Sequence, residues 1–472
     1  MTTQKQGRGD IRVRFAPSPT GVVHLGTART ALFNFLFAIK YGGKFILRIE
    51  DTDKERSKKE FEANIIESLT WLGFSHDEMY RQSERTEIYR KYLQSLIDKG
   101  HAYVSEEPTT DPGSDSLKRS QVIRFRNAGK TVTFKDEIRG NIEFNTHELG
   151  DFVIAKSLEE PLYHLAVVVD DYEMNITHVI RGEDHISNTP RQILIQEALG
   201  APRPAYLHLP LILGKDRSKL SKRHGALPIL DYRDKGYLPA AVSNYLAFLG
   251  WRPLIEQEIF TQKQLNDAFD VNGIQKSPAI FSDEKLDWTN RKHIALLSGS
   301  QFQKYAALYL PPHLNSESLD ANRLKRSLPF IRERISKFGD LSLHYEEEFS
   351  FFFEISDYPV EKLISPVLRE NSDKDTRSTL GYLVFIRDVL SRAILDNLRA
   401  DKIKSLIWGF ATENGRGSVL WPMRYALSGK DKSPDPFSLV EVLGKEESLR
   451  RLSTAIEKIQ IFLNQRNRVG RG

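Results

Sequence analysis

The sequence predicts an α/β domain with a parallel sheet, interrupted by a small α+β insertion and followed by all-α domains. Three observations carry that expectation. Strand-like and helix-like segments alternate from Ile11 to Lys99 and resume from Tyr163 to Leu213, two-residue alternation replaces them in between, and beyond Asp231 the pattern is helical to the end. At 472 residues the chain exceeds what one ordinary core supports, so several domains are expected.

Taken in order, "IRVRFA" (Ile11 to Ala16) reads as a short strand ended by Pro17 and Pro19, with Gly21 permitting a turn. From Thr27 to Tyr41 the apolar residues Leu32, Phe33, Leu36, Phe37 and Ile39 suit a buried helix, and Gly42-Gly43 supplies its stop. "KFILRIED" (Lys44 to Asp51) is the second strand. Ser57 and Glu60 have the spacing of a capping box for a helix ending near Gly73, and a further helix covers Ser83 to Lys99. After Gly100, "TTDPGSDS" is loop-like and "QVIRFRNAGKTVTFKDEIRGNIEF" alternates as antiparallel strands do. "YHLAVVVDD" (Tyr163 to Asp171) reads as a buried strand. In "SNTPRQILIQEALG" Thr189 is expected as N-cap, Pro190 in the first turn and Gln192 as the capping partner. "YLHLPLIL" (Tyr206 to Leu213) is a last strand, followed by the basic loop "GKDRSKLSKRHG".

Composition narrows the function classes. Hydrophobic residues at 40% and charged residues at 28% are ordinary for a globular protein, and a formal charge of +5 does not mark a nucleic-acid binder without local clustering. With no cysteine there are no disulfides, thiolate nucleophiles or Cys-based zinc sites, and the twelve histidines show no H-E-x-x-H spacing, so neither a structural zinc nor any resident metal site is expected. "MTTQKQGRGD" lacks an apolar leader and no run approaches a membrane span, so a cytoplasmic protein without a membrane partner is expected.

Two stretches point to chemistry. In "FAPSPTGVVHLGTARTALFNFLFA", His24 stands at a helix start, where free backbone N–H groups and the helix dipole favour an anion and Gly26 allows close approach of a nucleotide. In "GKDRSKLSKRHG", Lys215, Arg217, Lys219, Lys222 and Arg223 lie between Gly214 and Gly225, as suits a loop that neutralises charge on a transferring phosphate. Either stretch alone is common. Both at opposite ends of one interrupted parallel sheet are not.

At these points the chain resembles the class I aminoacyl-tRNA synthetases, with "HLGT" at their HIGH signature and "KLSKR" at their KMSKS signature. "GGKFILRIEDTDKERS", "VVVDDYEMNITHVIRGEDHISNTPRQ", "YLAFLGW" and "WPMRYALSGKDKSPDPF" are similar to the bacterial glutamyl branch, so the resemblance covers nearly the whole chain. It implies a Rossmann-type catalytic domain at 1–99 and 161–230, a shortened acceptor-binding insertion at 100–160, a helical stem-contact domain at 231–315 and helical anticodon-binding domains at 316–472.

The resemblance also implies site roles. Arg14, Ser18, Glu50, Tyr163 and Arg181 would bind L-glutamate, with the arginines on its side-chain carboxylate and Glu50 on its α-amino group. His24, Gly26, Thr27, Glu183, Lys219, Ser221 and Lys222 would bind ATP, with His24, Lys219 and Lys222 serving catalysis. The implied reaction is ATP-dependent ligation of glutamate to tRNA(Glu) through an adenylate. The substrate carboxylate is already ionised, so alignment, Mg²⁺ and positive charge are what the chemistry needs. A monomer is implied, and Arg323 to Lys337 and Arg416 to Lys432 are expected to face RNA.

The chain departs from the pattern at several places. Thr27 stands where the first signature ends in histidine, and a Cys-based zinc module and a helical segment are reduced to "TTDPGSDSLKRS". Gly150 and Lys156 replace Asp and Arg, and His164 stands where many relatives have Asn. Two alternatives stay open at this level: the same catalysis with relaxed choice, charging tRNA(Gln) as well, and an inactive tRNA-binding protein on a synthetase scaffold.

Overall fold

The computed structural model describes residues 11–109, 118–220, 227–311, 321–355, 357–366, 373–393 and 399–469, and the chain divides into two compact units, Met1–His293 and Ile294–Gly472. In the first, β1 (Arg12–Phe15) leads to α1 (Leu25–Tyr41). The predicted stop is present: Gly42 adopts φ 66°, and the Gly42 and Gly43 N–H groups return to the Ile39 and Ala38 carbonyls. A side chain at Gly43 would collide with the Ile11 backbone oxygen, so only glycine lets the chain turn this tightly into β2 (Lys44–Ile49).

α2 (Lys59–Leu72), β3 (Glu78–Arg81) and α3 (Thr86–Asp98) follow. The Ser57 capping box does not form, because α2 begins after Lys58 and the Ser57 hydroxyl is buried without a hydrogen-bond partner. The next segments are β4 (Ala102–Thr109), β5 (Lys118–Phe125), β6 (Thr131–Asp136), β7 (Gly140–Asn145), β8 (Phe152–Ser157) and β9 (Glu160–Pro161). Then come α4 (Tyr163–Glu173), β10 (His178–Gly182), α5 (Thr189–Leu199), β11 (Ala205–Leu209) and β12 (Ile212–Leu213).

The main sheet has the order β3-β2-β1-β10-β11-β6-β7, parallel except for β7. Strand order runs outward in both directions from the β1–β10 junction, and a crevice at the carboxyl ends of strands opens at such a switch point. Within 100–160, only β4, β5, β8 and β9 form a separate antiparallel sheet; the β6–β7 hairpin joins the main sheet beside β11. α1 buries most of its apolar side chains in the core, where Phe33, Phe45 and Phe74 each contribute about 1.5–3 kcal/mol of burial, but Ile39, expected on the buried face, is exposed.

Three sequence expectations are corrected. Tyr163 to Asp171 is helix, not strand: α4 is buried along Leu165–Asp171 and packs on α3, α5 and β8, and an apolar run hidden on every side has no readable period. Thr189 is not the N-cap of α5; Asn188 holds that position, and the Thr189 hydroxyl is engaged by Arg181 at 2.7 Å, while the side-chain nitrogen of Gln192 is buried without a partner. The strand expected over Tyr206 to Leu213 breaks at Pro210, which cannot donate to a ladder, so β11 and β12 belong to different sheets.

The first unit continues through α6 (Ile229–Asp234), α7 (Pro239–Phe248), α8 (Gln262–Ala268) and β13 (Ala279–Ile280), which pairs with β12, and then α9 (Asp283–Leu296). The unit boundary therefore falls inside the span 231–315. The second unit is helical: α10 (Gly299–Tyr309), α11 (Ala321–Arg334), α12 (Asp340–Leu343), α13 (Asp373–Arg392), α14 (Ala400–Glu413), α15 (Arg416–Ser428), α16 (Pro436–Leu443) and α17 (Lys445–Val469). Among the described residues no helix is long and apolar enough to cross a membrane.

Candidate active site

A cavity of about 610 Å³ opens at the carboxyl ends of β1 and β10 and the start of α1. Of the residues singled out from sequence, Arg14, Ser18, His24, Gly26, Thr27, Glu50, Tyr163, Arg181 and Lys219 line it together. Ser221 and Lys222 lie outside the described residues. Glu183 is not among the lining residues; its carboxylate accepts the Leu211 N–H at 2.7 Å and pairs with Arg139 at 2.5 Å, tying β10 to the segment after Pro210.

One end of the cavity is the first turn of α1. His24 holds the N-cap position in an extended conformation, and Leu25, Gly26 and Thr27 line the wall. No acidic residue stands in that turn, so the positive end of the helix is left for an anion. A Cβ on Gly26 would meet no protein atom within 4 Å, so packing within the protein does not require glycine here. A close-lying ligand would. On the rim, Lys219 donates to Asp184 at 2.8 Å. Burial pushes the Asp184 pKa up, but the hydrogen bond and charge of Lys219, with His185 and a backbone N–H, together outweigh it and the net shift is down.

The other end is a network of buried charge. Asp171 on α4 accepts from Arg14 at 3.2 and 3.4 Å and from Arg48 at 2.7 Å. Arg48, fully buried, also donates to Glu50 Oε1 at 3.0 and 3.3 Å, so only one Glu50 oxygen is engaged. Burial raises the Glu50 pKa despite Arg48 and Arg14; for Asp171 burial is overcome by the same two guanidiniums and the pKa falls. Asp170 faces the other way, taking bonds from Arg85 at 2.7 Å, Tyr89 at 2.8 Å and Gln82 at 2.9 Å. The helical course of α4 gives these adjacent aspartates largely different partners, with Arg48 alone reaching both, at 3.8 Å from Asp170. Sequence reasoning missed Arg48, Asp171 and Asp184; the i, i+2 spacing of Arg48 and Glu50 was the available signal.

Arg181 differs from its neighbours. It is buried at 6% exposure, yet its partners are neutral: Nε donates to His208 Nε2 at 3.1 Å and Nη2 to Thr189 Oγ1 at 2.7 Å, while Nη1 has no partner among the described residues. Burial, with Arg14 as a nearby like charge, lowers its pKa. Tyr163, whose pKa burial raises, places its hydroxyl 3.3 Å from His185 Nδ1, and burial depresses the His185 pKa to about 4, so that ring is uncharged. Among the described residues the cavity lining therefore includes a guanidinium with no ion-pair partner and one unaccepted N–H, which is what a ligand carboxylate would complete.

The expected RNA-facing stretch Arg323–Lys337 turns much of its charge inward. Arg323 donates to the Phe353 carbonyl at 3.1 Å, Arg326 to the Val442 carbonyl at 2.8 Å, and Arg332 lies 4.7 Å from the Phe302 ring centroid. In 416–432 the charge meets aromatic rings: Arg416 and Lys404 flank Trp408 at 4.6 and 4.3 Å, and Arg424 lies 4.7 Å from Trp421.

Residues 10–111 and 113–288 match the family model of the class I tRNA synthetase (E and Q) catalytic domain, and 301–456 match an anticodon binding domain. The chain is 40% identical to a glutamate–tRNA ligase of Carboxydothermus hydrogenoformans over 94% of its length and 99% of that protein's. To the same enzyme of Aquifex aeolicus it is 38% identical over 95% and 99%. The crystal structure of a glutamate tRNA ligase from Elizabethkingia meningosepticum, in complex with its amino acid, superposes with a TM-score of 0.82 at 32% identity, covering 95% of this chain and all of that one.

Proposed function

The chain belongs to the class I tRNA synthetases of the glutamate and glutamine type, and on that premise we propose that it ligates L-glutamate to tRNA(Glu) in two ATP-dependent steps. The observation that carries the amino-acid assignment is Arg181, a buried cation in the cavity lining with neutral partners and an N–H that no described residue accepts. A glutamate side chain supplies the missing charge. A glutamine leaves the guanidinium without a counter-ion, a difference of roughly 2–5 kcal/mol by analogy with truncating one member of a buried charge pair.

Arg14 supports the same carboxylate, the open oxygen of Glu50 takes the α-amino group, and Ser18 and Tyr163 complete the amino-acid side. ATP lies toward the start of α1, its phosphates near the helix N-terminus with His24, Gly26 and Thr27, and Lys219 closes from the rim. Lys222 and Ser221 are assigned to the same nucleotide by the resemblance of "KLSKR" to the second signature. In the first step a glutamate α-carboxylate oxygen attacks the α-phosphorus, the bond to pyrophosphate breaks, and no general base is required. In the second the terminal ribose hydroxyl of the tRNA attacks the activated carbonyl and AMP departs.

Mg²⁺ enters as part of the MgATP substrate, coordinated by phosphate and water. We assign 100–160 to the acceptor end, 231–315 to the stem and 316–472 to the anticodon. The flanking of Trp408 by Lys404 and Arg416 supports the last, since base stacking and phosphate contact draw on these groups.

The test is ATP–pyrophosphate exchange with glutamate and tRNA present, then aminoacylation of tRNA(Glu) and tRNA(Gln) transcripts. Exchange with glutamate and charging of tRNA(Glu) alone is the expected result; charging of both transcripts would establish relaxed choice, and no exchange would reduce the protein to a tRNA binder.

A further inference from the structure

Behind Arg181, on the side away from the ligand, lies a buried pair that the reaction does not use directly. Asp136, at the end of β6, and His208 on β11 are each fully buried. Asp136 Oδ2 accepts the His208 backbone N–H at 3.0 Å and faces His208 Nδ1 at 2.7 Å. A carboxylate there calls for a proton on Nδ1, which leaves Nε2 as a lone pair, and Arg181 Nε donates to that lone pair at 3.1 Å. Burial depresses the His208 pKa, so the ring stays uncharged. Burial pushes Asp136 up, but its bonds from His208 and from the Arg139 and Ile138 N–H groups outweigh it, so the carboxylate stays ionised.

We propose that Asp136 and His208 are positioning residues for substrate selection: His208 holds Arg181 by a neutral acceptor while keeping the Asp136 charge one ring away. This rests on the assignment of Arg181 to the glutamate side chain. A carboxylate bonded directly to Arg181 would orient it equally well, but it would neutralise the guanidinium and compete with the substrate. The neutral ring orients without competing. Thr189, the other neighbour, is also neutral, and its hydroxyl, 3.2 Å from His208 Nε2, serves the same end. The strand arrangement makes the relay possible. β6 leaves the insertion to pair with β11, which pairs with β10, so Asp136, His208 and Arg181 stand on three successive strands.

The test compares His208→Glu, His208→Gln and Asp136→Asn with wild type in ATP–pyrophosphate exchange with tRNA present, measuring KM for glutamate and for ATP and the glutamate-to-glutamine ratio of kcat/KM. Thermal melts establish which variants fold. His208→Glu is expected to raise the glutamate KM roughly ten- to hundredfold and to collapse the ratio, with the ATP KM within about twofold of wild type. Asp136→Asn frees the imidazole tautomer and is expected to raise the glutamate KM about tenfold. His208→Gln, which restores a neutral acceptor oxygen, is expected to recover most of the loss, as a purely structural role would not. Folded His208→Glu with wild-type glutamate KM and ratio would overturn the proposal, and so would equal losses in His208→Gln and His208→Glu. If wild type itself activates no glutamate, the underlying assignment of Arg181 falls instead, whatever the variants do.

Discussion

Replacing Arg181 by methionine should separate function from stability in opposite directions. In the free protein this guanidinium is buried among neutral groups, with Nη1 unpartnered and Arg14 nearby, so its desolvation is not repaid by an ion pair. Methionine fills similar volume without that penalty. The partners left behind can satisfy each other, because the Thr189 hydroxyl lies 3.2 Å from His208 Nε2 and can donate to it. The net effect on the free protein is therefore expected between neutral and about 2 kcal/mol more stable, well short of the usual loss for a buried substitution. Glutamate activation behaves otherwise. Losing the charge partner of a buried carboxylate is worth roughly 2–5 kcal/mol, or about 30- to 5,000-fold in kcat/KM. Urea unfolding with and without glutamate reads stability and glutamate binding, and ATP–pyrophosphate exchange reads kcat/KM. Ligand at about 100 times the wild-type Kd should add about 2.7 kcal/mol to wild type and less than about 1 kcal/mol to Arg181→Met. A variant that is destabilised by more than about 2 kcal/mol while keeping its glutamate kinetics would show that Arg181 is a structural residue.

Asp171→Asn should do the reverse, since it leaves Arg14 and Arg48 buried without their shared counter-charge; a loss of about 3–5 kcal/mol in urea unfolding is expected, and a change under about 1 kcal/mol would discount the network. Gly26→Ala is expected to stabilise α1 by about 0.5–1 kcal/mol, as the added Cβ meets open space, while raising the KM for ATP; an unchanged ATP KM would remove the nucleotide from that wall. Stability should also fall with acid earlier than carboxylates alone require. Burial lowers the pKa values of His164, His185 and His293 from 6.5 to about 4 in the first unit. The unfolded chain then binds more protons across that window, so stability drops as pH falls from 6.5 toward 4. In the second unit Glu447, whose burial is outweighed by Arg450 and Arg451, is held at about 2 and contributes stability that is lost only below the normal carboxylate pKa of 4.5. Urea midpoints measured from pH 7 to 3 check both, and a flat profile down to pH 5 would contradict the histidine reading.

Local rules were sufficient for the alternation of strand and helix and for the Gly42 stop of α1, because each depends on residues within a turn or two of one another. The first signature was legible for the same reason: a histidine, a glycine and an apolar helix are consecutive. Arg14, Glu50 and Arg181 could be nominated only through resemblance, since residues so far apart in the chain share no period.

What sequence could not decide was where buried elements pack and which polar groups they bring together. α4 reads as a strand because a segment hidden on every side carries no alternation of polar and apolar faces, and only its neighbours make it a helix that points Asp170 and Asp171 apart. Likewise the departure of β6 from the insertion to pair with β11 places Asp136 behind His208 and His208 behind Arg181. Hydrogen bonds between distant strands fix that arrangement, and such bonds leave no mark on the order of residues along the chain.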